Sequence, residues 1–137
     1  MFFKKEEIKN NNFLTKVCAL LIHAAKIDEN YTDKEEQIIK KTLNGLGIED
    51  KNISKTIKEA KIIEENSNQI LDFTREVKGL PEQDKIKIVE ALWSIIYSNK
   101  DADLYETNLM RRLAGLLYID NKTMGDIKER VRKKNSE

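Results

Sequence analysis

Little in this chain breaks or staples a backbone. Its 137 residues include one proline, one cysteine, one histidine and five glycines. A lone cysteine excludes a disulfide framework and suits a reducing compartment, so a cytoplasmic location is expected. Cys18 lies in an apolar segment with no positive group at a useful spacing, which predicts a buried thiol rather than a nucleophile. His23, between Ile22 and Ala24, reads as a hydrogen-bonded core histidine. Net charge is also scarce. Twenty-five basic against 24 acidic residues leave +1, so no global field recruits nucleic acid, and no nucleic-acid partner is expected. The longest apolar run, residues 17–22, falls far short of the ~20 residues a spanning helix needs. The start, Met1-Phe2-Phe3-Lys4-Lys5, puts aromatics before lysines and shows no small-residue cleavage site, unlike a signal peptide. At most a peripheral membrane contact is expected there.

What remains is helical. Apolar residues make up 39% and charged residues 36%, which suits one soluble domain with a thin core. Apolar spacing is helical throughout, and β-branched residues do not alternate with polar ones, so the expected fold is all-α with about seven helices. The first helix is predicted over about residues 12–27 and the fifth over about 81–98. Both are apolar on most faces, the mark of central core helices, and they should lie side by side. The others are amphipathic. The second ends near Gly47, a suitable residue just past a helix. The third carries Ile53, Ile57, Ala60 and Ile63, and the fourth carries Ile70, Phe73 and Val77 before Gly79 and Pro81. Residues 1–11 are expected to be a flexible N-terminal segment, 12–131 the helical domain and 132–137 a disordered basic tail.

The sequence repeats itself at an offset of 71. Glu35 matches Glu106, Lys40-Lys41 matches Arg111-Arg112, and Ile38, Ile39 and Leu46 match Leu109, Met110 and Leu117. The two copies form a pseudo-repeated helix–turn–helix around the two central helices. Tyr118 stands where the first copy has Gly47, so a left-handed Gly47 would require the sixth helix to end differently.

Each copy carries an oxygen-rich turn, Asp28-Glu29-Asn30-Tyr31-Thr32-Asp33 and Asn99-Lys100-Asp101-Ala102-Asp103. Two readings stand side by side. Thr32-Asp33-Lys34-Glu35 fits a capping box, and Asp103 with Glu106 follows the same logic. Alternatively, Asp28, Asn30 and Glu35 converge on a hard cation, as do Asn99, Asp101, Asp103 and Glu106. An all-oxygen set suits Ca²⁺ or Mg²⁺. An EF-hand is excluded, because its Gly and Glu positions counted from Asp28 hold Asp33 and Ile39.

These residues resemble the TerB-like family, named for tellurite resistance protein B. Its acidic turn is followed seven residues later by a Glu, as Asp28 is by Glu35 and Asn99 by Glu106. Ala25-Lys26-Ile27-Asp28, Tyr97-Ser98-Asn99, Leu109-Met110-Arg111-Arg112-Leu113-Ala114, Glu90-Ala91-Leu92-Trp93 and Phe73-Thr74-Arg75 look like the stand-alone bacterial members. The resemblance implies a compact all-α domain with acidic, metal-holding turns, and a relation to the N-terminal region of the DjlA co-chaperones. Glu29 and Lys100 replace the turn glycines and Asn99 replaces the second Asp, so the first turn has the better ligand set.

The expected function is a non-enzymatic helical binding or scaffold module, cation-binding at the turns, in a tellurite, stress-response or envelope-associated system. It would act on a protein partner. The alternatives are a co-chaperone-type interaction domain and a metal-dependent enzyme using turn carboxylates. Against the last, no Ser/His/Asp set or phosphate-cradling glycine loop is present. A basic face through Lys128, Arg130, Arg132, Lys133 and Lys134 reads as a solvated surface with pairs such as Asp126–Arg130.

Overall fold

Apolar stripes set the elements of the computed structural model, which describes residues 2–26, 32–67, 71–75, 77–98 and 104–136. Side chains are described over 13–26, 32–67, 72–75, 77–98 and 108–134. Among the described residues there are seven α-helices and no strand: α1 (Phe2–Ala25), α2 (Asp33–Gly45), α3 (Asp50–Glu65), α4 (Leu71–Thr74), α5 (Glu82–Tyr97), α6 (Leu104–Leu116) and α7 (Asn121–Ser136). A 3₁₀ turn covers Val77–Gly79.

The all-round apolar helices are the centre. Val17, Cys18, Ala19, Leu20, Leu21 and Ile22 in α1 are buried, as are Ile88, Val89, Leu92, Trp93, Ile95 and Ile96 in α5. α1 packs on α5, and each carries a flanking helix, α3 on α1 and α7 on α5. Ile53, Ile57 and Ala60 from α3, and Met124, Ile127 and Val131 from α7, complete the same core. α2 lies against α1, α3 and α5. No helix of the described residues is long and apolar enough to cross a membrane.

Three boundaries differ from the sequence reading. α1 begins at Phe2 rather than near Asn12. The apolar period starts late, but Lys4-Lys5-Glu6-Glu7 are good helix formers and no proline or glycine stands in the way. For the same reason α7 continues to Ser136 through Arg132-Lys133-Lys134. The expected fourth helix is two pieces, α4 and the 3₁₀ turn. Phe73 and Val77 are still buried, but the Leu80 amide closes on the Val77 carbonyl at 3.0 Å, an i→i+3 bond. Pro81, with no N–H to donate, follows at once.

Helix α2 ends as Gly47 suggests. Gly47 has φ +110°, its amide bonds to the Asn44 carbonyl (3.1 Å), and the Ile48 amide reaches back to Leu43 (3.1 Å), a Schellman motif. The expectation that α6 ends differently is overturned. Tyr118 itself turns left-handed (φ 57°), its amide bonds to Gly115 (3.4 Å) and the Ile119 amide to Ala114 (2.9 Å). Ile48 and Ile119 are both buried, so closing each helix over its following isoleucine outweighs the ~1–2 kcal/mol that a side chain costs in this region. The bounds of α6 and α7 are those of α2 and α3 shifted by 71 (33 to 104, 45 to 116, 50 to 121, 65 to 136).

A Cβ added at Gly47 would meet no atom within 4 Å, so a substitution there tests the backbone alone. Gly47→Ala is expected to cost about 1–2 kcal/mol in urea unfolding, with no change in the slope of the transition.

Candidate functional site

The first turn is fastened at both ends. On its far side the capping box is complete. The Thr32 Oγ1 accepts from the Glu35 amide (3.2 Å), and Glu35 Oε1 accepts from the Thr32 amide (2.8 Å) and the Thr32 hydroxyl (2.9 Å). Thr32 has the extended backbone of an N-cap (φ −95°, ψ 163°). Asp33, Glu35 and Glu36 fill the first turn of α2, where the positive end of the helix dipole favours them. On the near side, Glu64 of α3 holds the end of α1. Lys26 Nζ lies 2.8 Å from Glu64 Oε2, and His23 Nδ1 lies 3.3 Å from Glu64 Oε1. His23 is therefore hydrogen-bonded as expected, but it is part-exposed rather than core, with its ring 6.4 Å from that of Phe73.

Of the seven candidate ligands, only Glu35 has a described side chain. Asp28, Asn30, Asn99, Asp101 and Asp103 lie outside the described residues, and Glu106 is described only as part of the α6 backbone. Among the described residues no three His, Cys, Asp or Glu side chains converge. What the structure adds is the burial of Glu35, which is 0% exposed. A cap works at a solvent-exposed helix start, and burying a carboxylate adds a desolvation cost of several kcal/mol that capping does not require. The donor chemistry fits a hard cation. A carboxylate accepts several bonds at once, so capping and ligation are compatible in kind.

Glu35→Ala is expected to cost about 1–2 kcal/mol by denaturant melt, the scale of a lost cap. Glu35→Gln keeps an acceptor for Thr32 and should cost less.

Cys18 is buried, and its pKa is pushed up to about 12. Burial is the main cause. Attraction to Lys61 pulls it down and Glu36 pushes it up. A thiol held neutral in this way is no nucleophile.

Two features lay outside the sequence reading. Asp120 caps α7, its Oδ1 accepting from the Thr123 amide at 2.7 Å, and that bond holds its carboxyl below the usual range. An Asp just before a helical stretch was the available signal. Arg130 pairs across to Glu90 of α5 at 3.0 Å instead of with Asp126 along its own helix. Arg130 and Glu90 both line a trough whose walls come from α2, α5 and α7.

Fold and turn together define an all-α module built on two central helices, with a capped acidic turn between α1 and α2. The family model described as tellurite resistance protein TerB matches residues 14–129, nearly the whole chain. The chain belongs to the TerB family. No curated protein and no solved structure was found to match it.

Proposed function

We propose that this chain is a non-enzymatic binding module whose first turn holds a hard cation, Ca²⁺ or Mg²⁺. Asp28 and Glu35 are the carboxylate ligands and Asn30 offers a carbonyl. The observation that carries the reading is the full burial of Glu35 within a cap that does not need it. The cation would supply charge compensation and fix the turn. No chemical step runs through it. The second turn, with Asp101, Asp103 and Glu106, is the weaker site because Lys100 adds a positive charge there. With Glu64 paired to Lys26 ahead of the turn and the capping box after it, a cation-bound turn would offer a protein partner a defined surface. The buried free thiol suits the cytoplasm, where we place the chain.

Affinity capture from cells, comparing wild type with an Asp28/Glu35 double variant, tests the reading. A partner retained by wild type and lost by the folded double variant supports it. Metal-dependent turnover of a phosphoester or acyl substrate, abolished by the same variant, would overturn it.

A further inference from the structure

The chain carries +1 overall, yet its positive charge is not evenly spread. A trough of about 550 Å³ runs between α2, α5 and α7. Its floor is apolar, with Ala91 and Val131 buried and Ile38 half-buried. Its rim holds Lys34 and Lys41 from α2, Lys87 from α5, and Arg130 and Lys134 from α7, all exposed. Among the described residues the one acidic side chain lining it is Glu90, which is paired with Arg130. Five cations against one carboxylate leave +4 along a single trough.

We propose that this trough docks an acidic, amphipathic segment of a partner protein, its apolar residues on the floor and its carboxylates on the two basic rims. The proposal rests on the reading of the chain as a binding module and names the surface and the partner chemistry. Three observations favour an elongated acidic segment over a compact phosphate. First, the rim cations are exposed and long, and none is buried as a fixed anion cradle would require. Second, two of the three hydroxyls lining the trough donate elsewhere. Thr42 Oγ1 donates to the Ile38 carbonyl (2.8 Å) and Ser98 Oγ to the Ile95 carbonyl (2.6 Å). Third, the α5 wall, Lys87, Glu90, Ala91, Ser94 and Ser98, follows one helix face. Those eleven steps span about 16 Å, room for roughly three turns of a helix laid in the groove. Lys34, Lys41 and Lys134 take part in no ion pair among the described residues, so their charge is available to a partner.

Fluorescence anisotropy on the full chain, with a labelled Glu/Leu amphipathic peptide of roughly 12 residues, tests the proposal. The expected result is saturable binding that weakens with salt and falls by about tenfold or more in Lys41→Glu/Lys134→Glu. Lys58→Glu, a reversal at an exposed α3 position outside the trough, should leave binding unchanged. A second pair, Lys34→Glu/Lys87→Glu, repeats the test should the first fail to give the wild-type circular dichroism spectrum. Absence of peptide binding overturns the proposal, as does equal loss in the Lys58 variant. So does tighter binding of a single-stranded oligonucleotide or of inorganic tripolyphosphate to the same trough. The capture experiment reads the turn and this titration reads the trough, so either can fail without the other.

Discussion

Leu92→Ala is expected to lower the unfolding free energy by about 2–5 kcal/mol, and Leu21→Ala by a similar amount. Both side chains are 0% exposed, and they occupy corresponding places, 71 apart, in the two central helices. Each truncation removes buried methyl groups and leaves a cavity between helices that have no freedom to close it. α1 is held by α3 and α5, and α5 by α1, α2 and α7. Urea melts should rank both variants below Glu35→Ala. A ranking with the Glu35 variant lowest would mean that the turn, not the helix pair, organises the fold.

The second large effect is alkaline. Folded Cys18 ionises only near pH 12, because burial penalises its thiolate, whereas an exposed thiol in the unfolded chain ionises near 9.0. The contribution of the neutral thiol is therefore complete below about pH 9. It is lost as pH rises towards 12, at about 1.4 kcal/mol per pH unit and approaching ~4 kcal/mol in all. Lysines and tyrosines titrate in the same window, so the diagnostic quantity is a difference. Between pH 9 and 11 the stability of wild type should fall more steeply than that of Cys18→Ala by about that slope. Parallel profiles would mean that the thiol reaches solvent in the folded state.

The central pair was readable because α1 and α5 are apolar on nearly every face, and their unbroken length, without glycine or proline, exceeds that of a buried strand. Their burial, the cladding by α3 and α7, and the stop at Gly47 follow from periodicity and one glycine. The extra turns at Phe2 and Ser136 were not readable. Propensity without an apolar stripe marks a helix only weakly. Tyr118 in a left-handed conformation was hidden because its local preference points the other way, and the burial of Ile119 that accompanies it is a tertiary effect.

At the site, the Thr-x-x-Glu spacing gave the capping box in full, since its bonds join residues three apart. Glu64 gave no local signal, because its partners Lys26 and His23 are 38 and 41 residues away. The burial of Glu35 depends on how α2 lies against α1 and α3. The basic trough was invisible for the same reason. Its cations come from three helices, and only Arg130 and Lys134 lie close together in sequence.

Whether the first turn holds a cation is decided by calorimetric titration of Ca²⁺ and Mg²⁺ into wild type, Asp28→Asn and Glu35→Gln. Glu35→Gln preserves an acceptor for Thr32 while removing a charged ligand, so it separates capping from ligation. A saturable response is expected in wild type, lost or strongly weakened in both variants. A response that survives Asp28→Asn unchanged, or no response at about 1 mM ion, would contradict cation binding there and return the turn to capping alone.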